Sequence, residues 1–169
     1  HRSSRLQPPG STWCCISLSH LVHTTFGVRS DNTLWAWGSN TAGQLGQNNL
    51  TAVSSPVQIT GTTWCNVASG LAYGLGVKTD GTLWSWGCNT NGHLGDLSVV
   101  NKSSPVQIPG TTWCDVASGS CTVFAIKNDN TLWSWGGASN GVLGTNTTST
   151  ARSSPVQIPG TTWCYIAMG

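Results

Sequence analysis

The chain has no glutamate, and its only acidic residues are five aspartates. Against seven lysines and arginines this leaves a net charge of +2 over 169 residues. Charge this sparse and scattered excludes the basic stripe that nucleic-acid phosphates demand. It also excludes the clustered basic residues of a membrane-surface patch. No apolar run approaches the ~20 residues that a membrane helix needs. Strong helix formers are scarce, and Gly, Thr, Ser and Asn take their place. There is no initiator Met and no recognisable signal peptide, which points to a processed N-terminus or one cut from something longer. The sequence assigns no compartment.

What the chain does have is tryptophan, ten in all, and repetition. "SSPVQI" stands at Ser54–Ile59, Ser103–Ile108 and Ser153–Ile158, with a decayed copy, "SSRLQP", at Ser3–Pro8. Four tryptophans precede a cysteine, at Trp13, Trp64, Trp113 and Trp163. The other six form Trp-x-Trp pairs at Trp35/Trp37, Trp84/Trp86 and Trp133/Trp135. A period near 50 residues belongs to blade-like β repeats. The chain reads as a single repeat domain over 1–169, with repeats of about 3–53, 54–102 and 103–152 and a partial one over 153–169.

Short Val/Ile/Thr/Trp segments bounded by Gly, Pro, Asn and Asp predict strands. In the middle unit these are 62–69, 73–78, 82–87 and 104–108. Asp80-Gly81 reads as a two-residue hairpin turn with positive φ at both positions; Asp31-Asn32 and Asp129-Asn130 stand in its place elsewhere. Residues i and i+2 of a strand share a face. Each Trp pair therefore offers one broad aromatic surface, and a thin blade must bury it against a neighbour. Trp35, Trp37, Trp84, Trp86, Trp133 and Trp135 are expected to form inter-blade core, at roughly 150–250 Å² of surface each.

The stretches "VKTDGTLWSWGCNTNGHLG" (77–95) and "SSPVQIPGTTWCDVASG" (103–119) resemble the regulator of chromosome condensation repeat in its bacterial or environmental form. That resemblance covers nearly the whole chain. It implies a seven-bladed all-β propeller of four-stranded antiparallel blades. Relatives range from a guanine-nucleotide exchange factor that docks on nucleosomes to proteins that bind partners through loops on one face. Exchange is not expected here, because none of the loops and wedge it depends on maps onto this sequence. The "GQLG" loop at 43–46 becomes "GHLG" at 92–95 and "GVLG" at 141–144.

Cys14, Cys65, Cys114 and Cys164 recur at the repeat period. They lack the close C-x₂-C pairs of a zinc site, so Cys65 and Cys114 are expected as small inter-blade core residues. Cys15, Cys88 and Cys121 break the repeat, and seven thiols cannot all pair within the chain. His93 replaces Gln44 and reads as a surface variant. No Ser-His-Asp order, phosphate loop or carboxylate pair appears. The reading is a non-enzyme without cofactor or metal.

The segments before each "SSP" vary, and binding concentrates on variable loops of rigid scaffolds. Asn48, Asn49, Asp96, Asn101, Asn146 and Thr147 are the candidate partner-binding residues. Each segment also holds an N-x-Ser/Thr pattern, which arises readily by chance in so Asn- and Thr-rich a chain. About three and a half repeats cannot close a ring. A second chain is expected to complete it head to tail, through terminal strands carrying Ser4 and Leu6 at one end and Trp163, Tyr165 and Ile166 at the other. The expected function is a scaffold that binds a protein through one face. The alternatives are a unit that self-assembles through its open ends, or a piece of a longer propeller.

Overall fold

Alternating apolar residues between Gly- and Asp-bearing turns yield hairpins, and the repeat multiplies them into three four-stranded antiparallel sheets. The computed structural model describes residues 12–19, 21–146, 148 and 150–168. The first blade contains β1 (Trp13–Ser19), β2 (Thr24–Arg29), β3 (Leu34–Gly38) and β4 (Val53–Ile59). The second contains β5 (Trp64–Ser69), β6 (Tyr73–Lys78), β7 (Leu83–Gly87) and β8 (Lys102–Gln107). The third contains β9 (Trp113–Ser118), β10 (Thr122–Lys127), β11 (Leu132–Gly136) and β12 (Arg152–Ile158). A blade thus begins inside one sequence repeat and ends inside the next.

The blades stack face to face through two apolar cores. Between the first and second, Phe26, Val28, Leu34, Leu45 and Ile59 receive Trp64, Val67 and Trp86. Between the second and third, Leu75, Val77, Leu83, Leu94 and Ile108 receive Trp113, Val116 and Trp135. Trp86 and Trp135 are fully buried, whereas Trp84 and Trp133 are partly buried against the same cores. Trp35 is half-buried, as Trp84 and Trp133 are, whereas Trp37 is half-buried where Trp86 and Trp135 are buried, since no described blade precedes the first. Gly74 makes room for Trp86: a Cβ there would stand 2.7 Å from its indole and 2.8 Å from Phe26. The corresponding residue of β10 is Val123.

The first strands of successive blades lie side by side and line an open axial groove of about 620 Å³. Ser17 Oγ and Ser69 Oγ are 2.8 Å apart across it, and Asn66 Nδ2 donates to Asp115 Oδ1 at 2.8 Å.

Four expectations are corrected. Cys65 and Cys114 are exposed, as are Cys14 and Cys164. A register shift lies between Trp64 and Asn66, and another between Trp113 and Asp115. Each cysteine is therefore the extra residue of a β-bulge, turned away from the core expected for it. Its Sγ donates to Val77 O (3.4 Å) or Ile126 O (3.3 Å). Local desolvation pushes both thiols up, so they stay protonated.

The hairpin turns are three-residue loops instead of two-residue ones. Only Asn32, Gly81 and Asn130 have positive φ, at 60°, 77° and 61°. The bond from Gly81 N to Lys78 O and the bond from Lys78 N to Thr82 O, both 2.9 Å, describe a turn followed by a bulge.

His93 is buried, not a surface variant (1% exposed). Finally, Trp163–Ala167 is not a strand. Its first residue docks as a strand would, Trp163 N donating to Asn130 O at 3.1 Å. That bond repeats the ones from Trp64 N to Asn32 O (3.0 Å) and from Trp113 N to Gly81 O (2.9 Å). Among the described residues no second strand is present to pair with it. Ser4 and Leu6 lie outside the described residues.

Candidate functional site

Strand direction sorts the connections onto two ends. The β2–β3 turns and the links between blades lie at one end; the β1–β2 and β3–β4 loops lie at the other.

The turn end is nearly the same in every blade. Asp31, Asp80 and Asp129 each accept the backbone N–H and hydroxyl of the Thr two residues on. Those hydrogen bonds, the hydroxyl's above all, hold the three carboxyls below their ordinary range. The Thr hydroxyls in turn accept the indole N–H of Trp35, Trp84 and Trp133 at 2.8–2.9 Å. Lys78 Nζ lies 4.8 Å from the Trp64 ring and 4.3 Å from Trp84, a cation–π sandwich that Lys127 and Arg29 repeat. Every one of these charges is engaged in holding its own blade.

The β3–β4 loops differ from one another, though two share a frame. Asn40 is fully buried; its Nδ2 donates to Asn49 O, Asn49 Oδ1 and Thr51 O, and its Oδ1 accepts Leu45 N. Asn89 does the same with Asp96 Oδ1, Ser98 O, Val100 O and Leu94 N. The third blade has Ala138 there and starts its loop with a short 3₁₀ turn, Ser139–Gly141. Each frame also grips the blade that follows. Trp86 Nε1 donates to Gln44 O (2.9 Å), and Trp135 Nε1 donates to His93 O (3.0 Å). Gly95 must be glycine, since a Cβ would meet the Trp135 indole nitrogen at 2.6 Å. Asn48 N reaches Ser103 O (2.7 Å), and Leu97 N reaches Ser153 O (2.8 Å).

His93 lies inside this frame. Its ring sits 4.3 Å from that of Tyr73, and neither ring nitrogen has a hydrogen-bond partner. Burial pushes its pKa down to about 4, against a lesser opposing pull from the Cys88 backbone. Tyr73 Oη lies 3.0 Å from Gly119 O and 3.1 Å from Thr122 O, and burial raises its pKa far above the ordinary range.

The polar residues expected to face a partner are largely spent inside the loops. Asn49 Oδ1 accepts Asn40 Nδ2 and Thr51 N; Asn101 Oδ1 accepts Asn89 N. Asp96 takes Asn89 and Ser98 and pairs with Lys102 at 3.7 Å. Asn48 and Asn146 are exposed, and Thr147 lies outside the described residues. Pointing outward instead are Leu21, Leu50, Leu97, Val99, Val100 and Val142, each at least 44% exposed. The sequence signal was available: "DLSVVNK" places three aliphatic residues in a loop with no strand or helix periodicity to bury them. Among the described residues no three His, Cys or Asp side chains converge as metal ligands would.

The family model for the regulator of chromosome condensation (RCC1) repeat matches residues 31–75 and 80–126, more than half of the chain. No curated protein matches by sequence at a significant level. Among solved structures, human WBSCR16 superposes with a TM-score of 0.71 at 22% identity, over 80% of this chain and 37% of that one. Prp20p from Saccharomyces cerevisiae gives 0.73 at 22%, over 82% and 36%. The same yeast protein, as RCC1 (Prp20) bound to Kap60, gives 0.74 at 22%, over 82% and 35%. The chain spans little more than a third of the length of these structures. With that repeat matched over more than half of its length and folded into four-stranded blades, the chain belongs to the regulator of chromosome condensation (RCC1) repeat family.

Proposed function

We propose that the chain is a non-catalytic propeller scaffold that binds a protein partner through its β3–β4 and β1–β2 loop face. The observation that carries this reading is the placement of exposed aliphatic residues. Among the described residues the turns and links at the opposite end expose no Leu, Ile or Val, only Pro109 and Pro159, whereas the loop face exposes six Leu and Val residues. Apolar surface held outward on a rigid frame gains nothing within the chain and marks an interaction surface. The yeast structural neighbour is titled for binding Gsp1p and histones, and another structure of it for its complex with Kap60. Protein binding is thus a use to which this fold is put. A photo-crosslinking residue placed at Leu50 or Val142 is expected to trap a partner from the native source. The same residue at Thr111, on the opposite end, is expected to trap none, and equal trapping from both ends defeats the reading.

A second reading has its own observation. Ile16 and Leu18 on β1 are 61% and 59% exposed, and Trp163 and Tyr165 at the other end are 38% and 74% exposed. These are the surfaces that a preceding and a following blade would cover, so a second copy arranged head to tail would bury them. Ile166 is half-buried beside them. Sedimentation tests this: association at micromolar concentration that Ile16→Ser abolishes supports it, and a stable monomer rules it out.

A further inference from the structure

We infer that the 96–102 loop of the second blade is the anchor of the loop face and seats an uncharged apolar strip of a protein partner. This rests on the loop-face reading above and narrows it to one loop and one chemistry. The first observation is backbone conformation. The equivalent position in the three loops has positive φ, 55° at Asn48, 65° at Leu97 and 57° at Asn146. Asparagine tolerates that region because its short polar side chain bonds locally, whereas leucine does not. Leu97 is also 70% exposed, so no burial offsets the strain. The backbone turn itself serves the fold by tying Leu97 N to Ser153 O; an exposed leucine there, where asparagine would relieve the strain, serves nothing within the chain and is a mark of function.

The second observation is rigidity. Asn89 Nδ2 holds Asp96, Ser98 and Val100 from within at 3.1–3.3 Å, and Leu97 N is tied to Ser153 O on the next blade. Val99 and Val100 are each 61% exposed on this fixed frame. An anchor already in its bound shape loses little freedom on binding.

The third is charge. The loop's two charges, Asp96 and Lys102, pair with each other at 3.7 Å. That leaves no basic footprint for phosphates or for anionic lipid. The run is also continuous. Asn48 N bonds Ser103 O at the root of β8, laying the first loop, with Leu50 62% exposed, beside the second. The fitting partner is a segment that lies along the arc with aliphatic or aromatic side chains on one side and no net charge there.

The test selects a display library of random twelve-residue peptides on the immobilised chain. The winners are then measured against a Leu97→Asn, Val100→Ser variant, whose fold is checked by its melting curve. The first of these substitutions restores the residue type that the other two loops use, so the variant keeps its frame. Selected peptides are expected to carry at least two apolar anchors and to bind the variant at least tenfold more weakly. Binding to an Asp80→Asn control at the opposite end is expected to be unchanged. Equal binding to the wild type and the loop variant overturns the anchor, as does a library that yields no binder. Peptides weakened only by Leu50→Ser or Val142→Ser remove this anchor but leave the loop-face reading standing. Peptides that map to the turn end, or retention only by phosphatidylcholine vesicles, overturn both.

Discussion

The two blade interfaces use the same backbone contact with different side chains around it. At the first, the Gln44 carbonyl accepts the Trp86 indole, and the Gln44 amide oxygen accepts Ala42 N at 2.8 Å. At the second, the His93 carbonyl accepts the Trp135 indole, and the imidazole lies against Tyr73 with no partner. Gly74 and Gly76 of the first become Val123 and Ala125 of the second. The grip of blade on blade therefore lies in the loop backbone and the indole. The residue between Gly and Leu in the loop motif is thus free to vary, and here it puts a buried imidazole at the second interface where the first has an amide.

The largest break in this comparison comes from the shared indole. Trp86→Ala is expected to cost about 3–5 kcal/mol, as large truncations of buried aromatics do. Trp135→Ala should cost the same, read by chemical denaturation. A loss below about 1 kcal/mol in either would mean the indole is not the grip.

Acid should then separate the two interfaces. The folded pKa of His93 is held near 4, below its ordinary value of 6.5. Its neutral state favours the fold fully above pH 6.5, and that stability is lost as pH falls toward 4. At full burial the difference amounts to about 3 kcal/mol. Tyr73, whose ring lies against it, stays uncharged throughout this range. His93→Gln, which copies the first interface, is expected to flatten the melting temperature between pH 6.5 and 4. An unchanged slope would place the acid sensitivity elsewhere. The lowered carboxyls of Asp31, Asp80 and Asp129 titrate below 3.8 and fall outside this window.

The loop frames give a smaller effect. Asn89→Ala strands Leu94 N and two loop carbonyls, at a cost of about 2 kcal/mol. It should speed hydrogen exchange at Leu94 while leaving Leu45, under Asn40, protected. Smallest of all, Leu97→Asn relieves the positive φ and is expected to add about 1 kcal/mol of stability, measured as a raised melting temperature.

Much of this was legible in the sequence. Twelve strands, their four-fold grouping and the inward-facing Trp86 and Trp135 followed from period, turn residues and alternation. What escaped was local geometry that a pattern does not encode. Cys65 and Cys114 were placed in the core as small thiols without metal spacing, and a bulge, which no spacing reveals, turns them outward. A three-residue loop and a two-residue turn both end in Asp-Gly, so the turn type was misread. His93 was judged by its side chain, although its carbonyl and its neighbours fix its burial. Polar loop residues were chosen as contacts by type, yet Asn49, Asp96 and Asn101 bond within their loops, and the aliphatics between them are left facing water.

The forward grip of each loop gives the fold a direction. Gln44 and Asn48 hold residues of the second blade, while His93 and Leu97 hold residues of the third. As the chain leaves the ribosome, each blade therefore emerges with an empty hand. Its loop carbonyl and amide wait, hydrated, for an indole and a serine that are some 40 to 60 residues away from being made. Stability should accrue in steps, one per completed handhold, with the most recent blade always the loosest. Nascent chains arrested before and after Trp135 would differ in the protease resistance of the second blade, although not one residue of that blade has changed.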